Sequence, residues 1–140
     1  MTHIADNDQF IGTWQLQPEL SVYEFGDPPA EGLYTIRAGN DTYLFEIAWE
    51  TAANQSFSAA FSGIPDGEQY PYEDPRVAEA LSLTRVDDLT LDSETFKGGS
   101  QVAHARRELL EDGRVMRVTQ SGCSPDGTVF SNVAYYHRLD

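Results

Sequence analysis

Apolar and polar residues alternate in short runs along most of the chain, and the clearest run covers residues 43–50. Four apolar residues occupy every second position there, and Glu46 and Glu50 lie between or beside them. Because successive side chains of a strand point to opposite faces, this pattern predicts a strand with one buried face. Similar runs recur as far as residue 138, whereas helical periodicity is nearly absent.

Turn-forming residues separate these runs, for example Asp66-Gly67, Lys97-Gly98-Gly99 and Asp126-Gly127. Glycine, asparagine and aspartate suit the tight turns of hairpins. The pattern therefore predicts nine strands in hairpin succession, at residues 11–17, 32–38, 42–51, 55–62, 77–85, 89–97, 101–110, 114–122 and 128–138.

A flat sheet of nine successive hairpin strands would leave two exposed edges, and closure into a barrel removes them. We therefore predict an all-β fold: one antiparallel up-and-down barrel of about 8–10 strands. Residues 1–140 form its single domain, with residues 1–8 as a loose N-terminal arm. The segment from Gly63 to Pro75 carries three prolines, so we expect a long loop there that acts as a gate at the barrel mouth.

The composition favours a soluble globular chain with a strongly negative surface. Of its 140 residues, 40% are hydrophobic, and 23 acidic against 9 basic side chains give a net charge of -14. Such a surface repels phosphate groups and anionic lipids, so neither nucleic acid nor a membrane is an expected partner. The chain contains no apolar run of roughly 18 residues and begins with polar residues rather than a signal peptide, so we expect a cytoplasmic location.

The titratable residues do not indicate a cofactor or a catalytic centre. His3, His104 and His137 share no spacing typical of metal ligands. The single cysteine, Cys123, cannot pair within the chain and has no evident orienting partners. We therefore expect no metal and no cofactor, and we assign no catalytic residue.

The segment Phe10–Leu16 places Gly-Thr-Trp at the start of the first predicted strand. This resembles the opening of calycin barrels, the lipocalins and fatty-acid-binding proteins. Over nearly the whole chain, further motifs resemble in order and spacing a bacterial lipocalin-like family whose activity is not established. These motifs are 81–88, Lys97-Gly98-Gly99, Arg107 with Glu111-Asp112-Gly113, 118–122, and Asp126-Gly127 before 132–136.

The resemblance implies a barrel with a cavity. In calycins the corresponding indole lies across the closed end of the barrel, and a basic side chain from the last strand stacks on it. The resemblance thus assigns structural roles to Trp14 and Arg138. A stacked cation of this kind contributes about 0.5–2 kcal/mol.

Strand parity assigns large apolar side chains to the barrel interior, which could be filled by them or could hold one small ligand. They are Tyr34, Ile36, Tyr43, Phe45, Ile47, Trp49, Phe57, Phe61, Leu81, Leu83, Met116 and Val118. Polar residues of the same parity indicate a ligand. Arg107 follows two small residues, Ala103 and Ala105, on one face of its strand. Asn132, Ala134 and Tyr136 form a comparable row in the last strand.

Arg107 and Tyr136 resemble the arginine and tyrosine that hold a carboxylate in fatty-acid-binding barrels, although the Arg-x-Tyr spacing of that family is absent from the last strand. The candidate ligand-binding residues are Arg107, Tyr136, Asn132, Trp49, Phe45, Phe61 and Tyr34. An alternative is that Arg107 pairs with an internal carboxylate such as Glu46, or points outward.

Three functions remain open at this point. The first is non-enzymatic binding of a small, largely apolar molecule that bears a carboxylate or hydroxyl group. The second is a cofactor-free isomerase or cyclase acting on a hydrophobic substrate, with a titratable pair drawn from Glu46, Arg107, His104 and Tyr136. The third is a ligand-free barrel with a packed interior that acts through protein contacts.

Overall fold

The computed structural model describes residues 4, 8–24, 29–72, 78–123 and 127–139. Over these residues the chain forms eleven strands and two short 3-10 turns, Pro18–Leu20 and Glu111–Gly113. The strands are β1 (Gly12–Leu16), β2 (Val22–Tyr23), β3 (Pro29–Gly39), β4 (Thr42–Thr51), β5 (Ser56–Gly63), β6 (Asp66–Pro71), β7 (Ala80–Asp87), β8 (Thr90–Lys97), β9 (Ser100–Leu110), β10 (Val115–Cys123) and β11 (Val129–Arg138). This part of the chain contains no helix with the length and hydropathy needed to cross a membrane.

All strand pairs are antiparallel, and ten strands follow the order β5-β4-β3-β1-β11-β10-β9-β8-β7-β6. The strands β5 and β6 end this path, and β5 approaches β7 at Gly63, where an added Cβ would lie 3.3 Å from the Cβ of Leu83. A glycine allows this close approach without displacing Leu83. The sheet therefore curls into a nearly closed barrel, which confirms the predicted fold class.

The nine predicted strands are all present, but the prediction of a loop from Gly63 to Pro75 is wrong over Asp66–Pro71. These residues form β6, which pairs with β7. In β6 only Tyr70 is partly buried, and apolar and polar residues do not alternate. The sequence therefore contains no strand pattern there. Residues 73–75 of the predicted gate lie outside the described residues. The two-residue strand β2, which pairs with β11, was also not predicted.

A cluster of buried apolar side chains fills the end of the barrel that holds Trp14, called the closed end below. Trp14 is fully buried, its indole nitrogen donates to the Phe10 carbonyl at 3.1 Å, and the Arg138 guanidinium lies 4.2 Å from its ring centroid. The same guanidinium donates to the backbone carbonyls of Gln9, Ile11 and Gly113. Arg138 thus ties the last strand to the chain that precedes β1.

The inward parity of the apolar residues holds along most strands. Tyr34, Ile36, Tyr43, Phe45, Leu81, Leu83 and Met116 are buried, and Ile47, Trp49, Phe61 and Val118 are partly buried. Phe57 differs, since 47% of it is exposed. It lies opposite Trp49 on β4, as its parity requires, but at the open end of the barrel, where less of the chain covers it.

The segments before β1 and after β11 are both attached to the closed end of the barrel. The Ile4 amide donates to the Asn40 carbonyl at 2.8 Å, and the Leu139 amide donates to the Thr13 carbonyl at 2.9 Å. Asp8 accepts a hydrogen bond from the Tyr43 hydroxyl at 2.8 Å and forms an ion pair with Arg85. Within the segment 1–8, predicted as a loose arm, Ile4 and Asp8 are therefore bonded to the barrel. Residues 1–3 and 5–7 lie outside the described residues.

A polar cluster on the outer surface joins β8 to β9. Asp92 is buried and accepts two hydrogen bonds from Arg106, at 2.9 and 2.8 Å, while the His104 Nε2 lies 3.2 Å from its carboxylate. Burial of Asp92 opposes its ionisation, but the hydrogen bonds and charges of Arg106 and His104 outweigh this effect and hold the pKa of Asp92 below its ordinary value.

The Asp92→Asn substitution is expected to lower the free energy of unfolding by about 1–2 kcal/mol at pH 5. Because the pKa of Asp92 is depressed in the folded protein, its contribution is present above the unfolded pKa of about 3.9 and is lost as the pH falls through the folded value. Urea unfolding of wild type and variant at pH 5, 4 and 3 should show a difference that shrinks with acid. Asp88→Asn, an exposed neighbour in the sequence, is the control. A pH-independent difference would contradict this assignment.

Candidate ligand-binding site

A cavity of about 490 Å³ lies inside the barrel, towards the end opposite Trp14. This volume falls within the range of about 300–1,000 Å³ that small-molecule sites occupy. Its lining residues are Tyr23, Pro29, Tyr34, Ile47, Trp49, Ala59, Phe61, Tyr72, Leu81, Ser93, Thr95, Val102, Ala103, Arg107, Val118, Gln120, Asn132, Ala134 and Tyr136. The barrel is therefore hollow at its open end and packed at its closed end.

Arg107 points from β9 into the barrel and is only 2% exposed. Its Nε donates to the Tyr34 hydroxyl at 2.7 Å and its Nη1 to the Ser93 hydroxyl at 3.2 Å. The guanidinium also lies 4.8 Å from the centroid of the Phe45 ring. In the described part of the chain, Arg107 forms no ion pair with a carboxylate. The cavity is thus bordered by a buried positive charge whose contacts among the described residues are to hydroxyl groups and aromatic rings.

The sequence around Arg107 explains why it lies inside the barrel. Ala103 and Ala105 precede it on the same face of β9, so their small side chains leave room for the guanidinium. Neither alternative reading of Arg107 holds, because it does not point outward and Glu46 does not reach it. Glu46 is exposed on β4 and pairs with Arg37 instead.

Tyr136 also lines the cavity but does not contact Arg107 through a hydrogen bond. Its ring meets that of Tyr34 edge to face, with centroids 5.5 Å apart. Burial raises the pKa of Tyr136 above its ordinary value; Tyr23 and Tyr34 raise it further, whereas Arg107 lowers it. Its hydroxyl is therefore protonated at neutral pH and can donate. Arg107 thus bonds the hydroxyl groups of Tyr34 and Ser93, and the joint binding of a carboxylate by Arg107 and Tyr136 stays a prediction.

The aromatic residues predicted to contact a ligand occupy different depths. Trp49 lines the cavity near its mouth and stacks on Phe57, with centroids 5.7 Å apart. Phe61, four residues further into the barrel by strand register, also lines the cavity and stacks on Phe45, with centroids 4.7 Å apart. Phe45 itself is buried beneath Arg107 and is not part of the lining. It packs against the Arg107 guanidinium and stacks beside Phe61, its register partner on β5.

Asn132 lines the cavity and also has a structural contact. Its Oδ1 accepts a hydrogen bond from the Glu24 amide at 2.8 Å, which holds the chain after β2 against β11. Ser93 and Gln120 also line the cavity and were not predicted from the sequence. Parity contains the signal for Gln120, because this residue continues the inward series of Met116 and Val118 along β10.

Two residues considered for an enzymatic pair lie elsewhere. His104 is on the outer surface beside Asp92, and Glu46 is on the outer surface beside Arg37. Across the described residues, no three His, Cys, Asp or Glu side chains are grouped so that they could hold a metal ion.

Comparison with known proteins places this fold. No family model matches the sequence, and no curated protein matches it significantly. Among solved structures, 24 chains match. One of them is the zebrafish ileal bile acid-binding protein complexed with cholic acid, with a TM-score of 0.56 and 11% sequence identity. The match covers 94% of this chain and 99% of that chain. The chain therefore has a fatty-acid-binding-protein-like barrel fold.

Proposed function

We propose that this protein is a non-enzymatic binding protein, which holds one small, largely apolar molecule bearing a carboxylate inside the barrel. The observation that carries this proposal is Arg107, a buried cation that borders a cavity of about 490 Å³ and forms no ion pair within the described residues. A buried charge without a partner is costly, and an anionic ligand supplies that partner.

The ligand carboxylate would reach Arg107 through a charge-assisted hydrogen bond. The Tyr136 hydroxyl, which is protonated at neutral pH, is a second donor on the same border of the cavity. The apolar body of the ligand would lie against Trp49, Phe61 and Ile47. Apolar contacts would supply most of the affinity, and Arg107 would fix the orientation.

Three further observations support binding. An open cavity fits a ligand better than the alternative of a packed, ligand-free barrel. Neither Glu46 nor His104 lines the cavity, so its described lining offers fewer acid-base groups than a cyclase or isomerase would use. The zebrafish protein with a similar fold was crystallised with cholic acid, a carboxylic acid.

The proposal extends to family and compartment. The Gly-Thr-Trp segment at Gly12–Trp14 and the later motifs support membership of the bacterial lipocalin-like family. The lone cysteine, Cys123, allows no disulfide within this chain, which is in keeping with the cytoplasm as the site of action.

Isothermal titration calorimetry with palmitate and hexadecanol tests the proposal. We expect wild type to bind palmitate, and Arg107→Met to weaken that binding by about 10- to 100-fold, because one charge-assisted hydrogen bond is lost. Hexadecanol, which lacks the carboxylate, should be affected far less. Arg37→Met removes an exposed arginine of the outer surface and is the matched control. Unchanged palmitate binding in Arg107→Met, or no binding of palmitate, of aromatic acids or of steroid acids by wild type, would overturn the proposal.

A further inference from the structure

One row of polar side chains crosses half of the cavity wall at a single level. Ser93 of β8 lies opposite Ala105 of β9, Ala105 opposite Gln120 of β10, and Gln120 opposite Asn132 of β11. Tyr23 of β2 continues this row beside Asn132. We call Ser93, Gln120, Asn132 and Tyr23 the polar row. Since neighbouring strands lie about 4.8 Å apart, the row spans about 14 Å from β8 to β11.

The opposite half of the cavity wall is apolar. In the strand order of the barrel, β4 and β5 lie across from β9 and β10. These two strands contribute Ile47, Trp49, Ala59 and Phe61 to the lining, and β7 adds Leu81. The cavity therefore has two unlike walls, one with hydrogen-bonding groups in a row and one with aromatic and aliphatic surface.

Arg107 lies deeper in the barrel than the polar row. It is two residues beyond Ala105 on β9, which corresponds to about 7 Å along the strand. At its own level the neighbouring inward residues are Leu91, Val118 and Ala134, all apolar. A ligand with its carboxylate at Arg107 would thus present its body to the polar row on one side only.

We infer that the ligand is a rigid acid with two unlike faces, one apolar and one bearing hydroxyl groups, rather than a straight-chain fatty acid. This inference rests on the proposed function and names the class of ligand for the same site. The apolar face would lie on Trp49 and Phe61, and the hydroxyl groups would meet Gln120 and Ser93.

The reason is the cost of covering Gln120 and the Ser93 hydroxyl with an alkyl chain that offers no hydrogen bond. Gln120 is exposed to the open cavity, where water can satisfy its amide, and an alkyl chain lying over it would remove that water without replacing the hydrogen bonds. Ser93 accepts from Arg107 and keeps its own proton for donation. Hydroxyl groups on the ligand replace the lost water, so they distinguish this class of ligand from a fatty acid.

Three carboxylic acids test the inference by calorimetry. Cholate carries three hydroxyl groups on one face of a rigid ring system, 5β-cholanate has the same rings and carboxylate without hydroxyl groups, and palmitate is a flexible chain. The readout is the ratio of the cholate and cholanate affinities. We expect this ratio to fall at least 5-fold in Gln120→Leu, because only the hydroxylated acid loses a hydrogen-bond partner.

Ser93→Ala is the second variant, with the same expected direction, and Gln15→Leu is the control, because Gln15 is exposed on β1 and does not line the cavity. An unchanged ratio in both cavity variants, or binding of palmitate without binding of either steroid acid, would overturn this inference and leave the proposed function standing. If wild type binds none of the three acids, the proposed function fails with it.

Discussion

The Trp14→Ala variant is expected to lose about 3–5 kcal/mol of unfolding free energy, the usual cost of truncating a large buried aromatic side chain. Trp14 is fully buried and links Phe10, through a hydrogen bond from its indole, to Arg138, which stacks on its ring. Its removal leaves a cavity at the closed end and exposes a guanidinium that the ring covered. The effect should exceed that of other single truncations in the barrel.

Denaturant unfolding followed by circular dichroism measures this loss. Trp49→Ala is the matched control, because it removes the same side chain at the open end, where Trp49 is only partly buried. We expect Trp49→Ala to cost less than half as much and to weaken ligand binding instead. A loss below about 1 kcal/mol for Trp14→Ala would contradict its place at the closed end.

Without ligand, Arg107→Met is expected to raise the unfolding free energy by about 1–2 kcal/mol. Arg107 is buried among hydroxyl groups and rings, and replacing a buried charge by an apolar side chain of similar length is often stabilising. Methionine keeps the contact with Phe45 and removes the need to desolvate a cation. A substitution in a binding site often raises the stability of the protein and weakens its binding.

Unfolding with and without saturating palmitate checks this expectation. Ligand binding adds RT ln(1 + [L]/Kd) to the stability of the form that binds it, so wild type should gain about 1.4–2.7 kcal/mol more than a variant that binds 10- to 100-fold more weakly. The higher stability of Arg107→Met over wild type would then shrink or reverse. If Arg107→Met is less stable than wild type without ligand by more than about 1 kcal/mol, the cation supports the fold, and its role in binding an anion is not needed to explain it.

The barrel could be predicted because most of its strands have one buried face. The run at 43–50 alternates between inward apolar and outward polar residues, and hairpin turns mark its ends. The strand β6 lacks this signal, because five of its six residues are exposed and it pairs with β7 without a buried apolar face of its own. Backbone hydrogen bonds do not affect the pattern of side chains, so Asp66–Pro71 was predicted as a loop.

The site was predictable in its residues more than in its contacts. The small side chains of Ala103 and Ala105 indicated room for Arg107 inside the barrel. Its partner could not be identified, because Tyr34 and Tyr136 both point inward and only the distances separate them. Phe45 was assigned to ligand contact by parity, which gives the face of a strand but not the depth of a side chain in the barrel.

Attachment of Ile4 and Leu139 to the closed end has a practical consequence for anchoring the molecule. A linker joined to the chain near either residue would leave from the end of the barrel that holds Trp14, and the cavity opens at the other end. A barrel immobilised on a sensor surface, or fused to a carrier protein at either side, would therefore keep its mouth turned towards the solution. Tethered and free protein should then take up small molecules equally well.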